Sequence, residues 1–223
     1  SQYSNPQWKK GLEPKILEEH CLTILEENPN MSLGRVKCKI IRYIAENAQI
    51  DVNPNEFFAD NFNHNDIVKN MNYAQCNTLE DNLRQNMSDE INNLVKSYTI
   101  RPNMDFGHLA PDWDFVMKAG IPGIIERVRE KSVLCRDDAE KSEFYECCED
   151  AFISITVLMK RFADEAEGYK TGKMNFVAEN LRYLCDNSPK TLAQAMQLIF
   201  TIYTTQNYLD IAIIRSLGGL DRM

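Results

Sequence analysis

The stretch Asp105-Phe106-Gly107-His108-Leu109-Ala110-Pro111-Asp112-Trp113, running on to Gly120-Ile121-Pro122-Gly123-Ile124-Ile125, decides how the chain is read. On either side of it apolar residues recur at helical spacing, so the flanks predict helix after helix. Here that flow stops. Gly107, His108 and Pro111 fall within five residues, and Gly120-x-Pro122-Gly123 follows a short amphipathic segment. Glycine and proline are the strongest local breakers, so 101–111 is expected as loop and 119–123 as a second break. Pro111 suits a first helical position, where a missing N–H costs nothing. Asp112 and Asp114 then fall in the first turn, favourable against the helix dipole. His108 is thereby held just ahead of a helix N-terminus. It is the first candidate to touch a substrate, because its imidazole changes charge near neutrality and both donates and accepts hydrogen bonds. Asp105 and Asp112 are the runners-up.

Outward from this stretch, Pro14 opens an expected helix over 14–28, with Leu17, Cys21, Ile24 and Leu25 on one face. Ser32 can cap the next, over 33–48, where Val36, Ile40, Tyr43 and Ile44 repeat at helical spacing. The apolar run Phe57-Phe58-Ala59 reads as a short strand or 3₁₀ piece. Residues 66–98 are rich in Asn and Gln, and their sparse apolar positions suggest two helices with a break near Ser88. A helix follows from Ile124 to about Leu134. Asp137 or Asp138 can cap a long one reaching Glu167, and another spans about 174–186. Thr191 with Gln194 three residues later is a capping-box pattern. The helix behind it, over 192–214, is hydrophobic nearly all round and is expected to be central and buried.

Composition narrows the functional classes. The chain has 223 residues, 43% hydrophobic and 26% charged, enough apolar material for a sizeable core. With 25 Lys+Arg against 33 Asp+Glu, and no basic stripe, neither nucleic acid nor an anionic membrane surface is an expected partner. No run of apolar residues is long enough to span a bilayer and no signal-peptide pattern opens the chain, so a cytoplasmic protein is expected. Seven cysteines, scattered mostly singly with no Cys-x-x-Cys, do not suggest a disulfide framework. His20, His64 and His108 are too widely spread for a zinc site, and no metal is expected. Phosphate loops, Gly-x-Gly-x-x-Gly, Gly-x-Ser-x-Gly and His-Glu-x-x-His are all absent. Cys147-Cys148 lies mid-helix, where adjacent side chains point about 100° apart, and buried free cysteine is usually a small hydrophobe. No catalytic residue is assigned.

The order of segments carries a family resemblance. Gly107-His108-x-x-Pro111-Asp112-Trp113 with Gly120-Ile121-x-Gly123-Ile124-Ile125 resembles the Gly-His-x-x-Pro-Asp-Tyr…Gly-Leu-x-Gly-Leu/Ile segment of the pyruvate formate-lyase-like glycyl radical enzymes. In order follow Phe144-Tyr145-Glu146, Ala163-x-x-Ala166-Glu167, Asn187-x-Pro189-x-Thr191-x-x-Gln194-Ala195-x-Gln197 and Ser216-Leu217-Gly218-Gly219-Leu220-Asp221. Upstream, Arg35-Val36-Lys37 and Asn55-Glu56-Phe57…Asn61 resemble the family's Arg-Ala-Lys and Asp-Glu-Leu…Gly-Asn. The likeness covers about 33–222.

The resemblance implies a mainly α chain, the multi-helix N-terminal portion of a glycyl-radical-enzyme α/β barrel with at most a few short strands. Residues 1–223 are then one helical segment, ending before the family's cysteine loop and its Arg-Val-x-Gly-Tyr radical motif, neither of which occurs here. It implies C–C, C–O or C–N bond cleavage on a small organic substrate by a full enzyme carrying a glycyl radical, installed by a radical-SAM activating enzyme. The segment alone would bind no cofactor and be inert, and a homodimer is among the expected assemblies. His108 corresponds to a substrate-contacting position in several members. Three departures stand out: 61–108 is shorter and more polar than usual, Ile213-Ile214 replaces the His-Ser pair of dehydratases, and Gly219 replaces an arginine. The second disfavours a glycerol-dehydratase-like activity. The rival reading is a stand-alone helical binding or scaffold protein, a relative that kept the shape and lost the chemistry. A fragment would expose apolar surface on the 192–214 helix; a self-sufficient protein would cover it.

Overall fold

The computed structural model describes residues 11–62, 67, 68, 70, 71, 81, 82, 85–100 and 111–209. Among these the chain is mainly α, with seven helices and one two-stranded sheet. The helices are α1 (Pro14–Glu27), α2 (Leu33–Asn47), α3 (Asp89–Lys96), α4 (Trp113–Leu134), α5 (Ala139–Gly168), α6 (Gly172–Asp186) and α7 (Leu192–Leu209). The strands are β1 (Ile50–Asp51) and β2 (Asn61–Phe62), antiparallel with Ile50 opposite Phe62.

Caps set most of the boundaries. Ser32 Oγ accepts from Arg35 N at 3.2 Å, Ser88 Oγ from Ile91 N at 3.3 Å and Asp138 Oδ1 from Lys141 N at 3.1 Å. Each satisfies one of the donors that a helix start leaves without an intrahelical partner. The capping box forms as expected: Gln194 N donates to Thr191 Oγ1 at 3.3 Å, and Thr191 N to Gln194 Oε1 at 3.2 Å. At the other end of α2 the cap comes from afar. The Arg161 guanidinium, on α5, donates to Ala45 O at 2.8 Å and to Ala48 O, placing a cation where the α2 carbonyls converge.

The long helix α5 is the axis of the packing, touching α2, α4 and α6 along its length. Leu158, Met159, Phe162, Ala163 and Ala166 of α5 are buried, as are Val36, Ile40 and Ile44 of α2 and Met174, Val177, Leu181 and Leu184 of α6. The small sheet lies beside α5, where Tyr169 Oη donates to Val52 O at 2.7 Å. In contrast, α3 buries none of its residues.

Three expectations are corrected. Asp112, not Pro111, opens α4: the Asp112 carboxylate accepts from Phe115 N at 3.2 Å, which fixes the cap there and leaves Pro111 outside the helix. Phe57-Phe58-Ala59 is neither strand nor 3₁₀; the strands are Ile50–Asp51 and Asn61–Phe62, and exposed Phe57 lies 4.1 Å from Lys173 Nζ. Helix α7 is not buried all round. Leu192 is 77% exposed and Met196, Phe200 and Tyr203 are 36–39% exposed, while Gln197, Thr201, Thr204 and Thr205 face inward beside Leu198 and Ile202. Hydrogen bonds to the 59–60 backbone and side chain, described below, turn the helix this way. The segment 210–214 expected to continue it lies outside the described residues, as does most of the first helix expected within 66–98.

Candidate substrate-facing site at the start of α4

Of the three candidate site residues the structure describes one. Asp105 and His108 lie in 101–110, outside the described residues. Asp112 sits at the N-cap of α4, and its Oδ1 is engaged by Phe115 N. Next to it Trp113 is buried, its indole N–H without a hydrogen-bond partner among the described residues. The segment carrying Asp105 and His108 therefore leads directly into a helix whose start is held by a buried aromatic ring.

The second break is present as expected. Gly120 has φ 64° and ψ −178°, which interrupts α4, and Pro122 falls in the first turn after it. That backbone conformation belongs almost exclusively to glycine. The two halves fold toward one another: the Arg127 guanidinium carbon lies 4.6 Å from the Phe115 ring centroid, although in a straight helix the backbones of residues twelve apart are separated by about 18 Å. Position 120 is also a close backbone approach. A Cβ there would meet Ser188 Cα at 2.8 Å and Asn187 O at 2.9 Å.

This contact joins two of the motif segments, and two further pairs of them meet through side chains. Arg35 pairs with Glu146, whose other oxygen accepts from Ser142 Oγ at 3.3 Å. Gln197 is fully buried and reads both backbone groups of Ala59, with Ala59 N donating to Oε1 at 3.1 Å and Nε2 donating to Ala59 O at 3.0 Å. Two turns on, a further α7 residue, Thr204, donates to Asp60 Oδ2 at 2.9 Å. Burial, the dominant influence, raises the Asp60 carboxyl above its ordinary range, while the Thr204 bond pulls it down. Sequence reasoning did not single out Asp60, Arg161 or Thr204. The only available signal was polar residues on an otherwise apolar helix face.

Burial governs three of the thiols. Burial pushes the Cys38 thiol up to about 12 and that of Cys185 up to about 11, and also raises Cys148. A thiol so shifted is protonated at neutral pH and is not the first to react with a dissolved electrophile. Among the described residues no group of three or more His, Cys, Asp or Glu is placed to hold a metal ion, and no helix is long and apolar enough to cross a membrane.

A bent helix over a long central one, with a small sheet and a capped final helix, defines a helical segment of a larger architecture known from solved structures. The glycyl radical enzyme of Archaeoglobus fulgidus matches with a TM-score of 0.63 at 13% identity, over 90% of this chain and 33% of its own. The B12-independent glycerol dehydratase of Clostridium butyricum matches with 0.63 at 16% identity, over 90% and 34%. The hydroxyproline dehydratase of Clostridioides difficile matches with 0.64 at 12% identity, over 89% and 32%. The chain thus spans about a third of the length of these relatives, and at such identities the likeness shows the fold. A search of curated proteins by sequence returns no match. The family model for pyruvate formate lyase-like proteins matches residues 21–222, and the chain belongs to that family.

Proposed function

We propose that residues 1–223 form the helical N-terminal segment of a glycyl radical enzyme that cleaves a C–C, C–O or C–N bond of a small organic substrate. The observation that carries this reading is the conjunction of the family match over 21–222 with a fold that covers 90% of this chain and only 33% of a glycyl radical enzyme. The exposed apolar stripe of α7 supports it, since a surface of that kind marks an interaction face.

The residues present do not fit the radical group itself. The sequence contains no Arg-Val-x-Gly-Tyr, and Cys147-Cys148 lies inside α5. The segment is therefore inert alone, and the glycyl radical, with the hydrogen abstraction it supports, belongs to the remainder of the enzyme. What this chain contributes is one wall of the substrate pocket. His108 offers a donor or acceptor to a hydroxyl or ammonium group, Asp105 a carboxylate, and Asp112 its remaining oxygen at the α4 start. The full enzyme is activated by a radical-SAM partner, works in the cytoplasm and assembles as a homodimer.

The intact mass of the native protein from its source tests this reading. A mass about three times 25.8 kDa is expected, from the one-third coverage of the relatives. A native mass near 25.8 kDa, with no associated polypeptide, overturns it. In the full enzyme His108→Ala should raise KM roughly ten-fold, the worth of a hydrogen bond to a buried polar group.

A further inference from the structure

The seam between α2 and α5 carries thiols that the proposed function does not use. Gly34 and Cys38 lie one turn apart on the same face of α2. A Cβ at position 34 would stand 3.7 Å from Cys147 Sγ, so that sulfur rests against this face, in room that a larger residue at 34 would narrow. From the next turn Cys38 Sγ donates to Cys147 O at 3.3 Å, and the Cys147 side chain is among the groups that raise the Cys38 thiol. The Arg35–Glu146 ion pair clamps the same seam immediately beside them. Cys148 is turned about 100° away around α5 by helix geometry. Cys38 is buried, whereas Cys147 is partly open to solvent.

We propose that Cys38 and Cys147 are a redox-modifiable pair, closing to an interhelical disulfide when the chain meets a two-electron oxidant of the peroxide class. The Cys147 sulfur, as thiolate, attacks one peroxide oxygen. The O–O bond breaks, leaving a sulfenic acid on Cys147 and a hydroxide that takes up the thiol proton as water. The Cys38 sulfur then attacks the sulfenic sulfur, the S–O bond breaks, and the departing hydroxide leaves as a second water with the Cys38 proton. Two thiols are oxidised and one peroxide is reduced to two waters. Exposure assigns the order: the accessible thiol is oxidised first, and the buried one resolves it. The product ties α2 to the first third of α5 across a sequence separation of 109, a long loop whose closure restricts the unfolded chain. This inference stands apart from the family reading, since it uses only the seam.

The test uses the 223-residue chain and hydrogen peroxide. After native-state oxidation, remaining thiols are alkylated in denaturant and the unreduced protein is digested with trypsin. Cleavage after Lys37, Lys39, Lys141 and Lys160 gives the fragments 38–39 and 142–160. A linked 38–39/142–160 pair is expected, lighter by two hydrogens than its separate parts, with fragmentation placing the link at Cys147. It should persist in Cys148→Ser, disappear in Cys147→Ser, and give way in Cys38→Ser to a Cys147 sulfenic acid that dimedone captures. The oxidised chain should also melt at a higher temperature than the reduced one. A Cys147–Cys148 disulfide within 142–160 overturns the proposal, and so does a link placed at Cys148. It is equally overturned if Cys38 stays free while Cys147 is driven to sulfinic acid. Should a serine variant fail to fold, the fragmentation map of the wild-type chain decides alone.

Discussion

Replacing Gly120 with alanine tests the central claim about the break in α4. Two independent costs meet at this position. At φ 64° and ψ −178° an L residue occupies a region essentially reserved for glycine, which costs about 1–3 kcal/mol. The added Cβ would also stand 2.8 Å from Ser188 Cα and 2.9 Å from Asn187 O. Both are main-chain atoms, which cannot swing aside as a side-chain end can, and overpacking of this kind costs a further ~1–3 kcal/mol. The sum, about 4 kcal/mol, is a large fraction of the stability of a typical domain, about 5–15 kcal/mol. For a chain of this length it corresponds to a fall in Tm of roughly 10 °C. The assay is urea unfolding followed by circular dichroism, with thermal melts alongside. Gly172→Ala is the control. A Cβ at 172 meets nothing within 4 Å, and removing a glycine from a compatible position stabilises by about 0.4–1 kcal/mol. If Gly120→Ala unfolds at the same urea concentration as Gly172→Ala, the tight seating of α4 on 187–188 is refuted.

Three further perturbations probe the way α7 and α2 are held. Gln197→Ala leaves the buried N–H and C=O of Ala59 without their partner, so a loss of roughly 2–4 kcal/mol is expected in urea unfolding; a loss below ~1 kcal/mol would mean the amide does not position the helix. Arg161→Met keeps the apolar stem but uncovers Ala45 O and Ala48 O; faster amide hydrogen exchange in the last turn of α2 is expected, and unchanged protection there contradicts the cap. Asp60 titrates in the folded chain above its unfolded value, so the folded state binds more protons. Its contribution is fully present below the unfolded carboxylate pKa and is lost as pH rises through the folded one. Asp60→Asn, which keeps an acceptor for Thr204, should flatten that decline in a series of urea midpoints against pH, and an unaltered slope would count against it.

How much of this was legible in the sequence depended on the range of the interaction involved. Ser32, Ser88, Asp138 and the Thr191/Gln194 box act within four residues, and each was readable because the side chain and the orphan N–H it satisfies are neighbours in the chain. Gly120 was readable as a break for the same local reason. What it packs against was not, since Ser188 is distant in sequence. The orientation of α7 was misread because hydrophobicity counts alone rank Phe200 and Met196 as core. The hydrogen bonds of Gln197 span 138 positions, and nothing near residue 197 announces them. Strands of two residues are too short for an alternating pattern, so β1 and β2 had no signature to find. At the candidate site the acidic helix start at Asp112 was visible locally, but the sequence placed Asp112 in the first turn rather than at the cap. Asp105 and His108 rest on the resemblance.

The pairings among the motif segments bear on what the family likeness means for activity. Gly120 seats on 187–188, Arg35 on Glu146, and Gln197 on Ala59; in each case both partners belong to, or adjoin, a segment that resembles the family. Every one of these contacts is a packing device: a close backbone approach, an interhelical ion pair, a buried amide reading a main chain. None presents a nucleophile. Retention of such residues therefore follows from the need to hold α5 between α2, α4 and α6, and it would be required equally of an active enzyme and of a relative that had lost its chemistry. The chemical distinction must come from groups that no packing need explains. On the proposed reading that group is His108, five residues ahead of the first residue of α4, a helix whose cap is supplied by Asp112. Substrate recognition, on that reading, depends on His108, and the KM of His108→Ala in the full enzyme reports it.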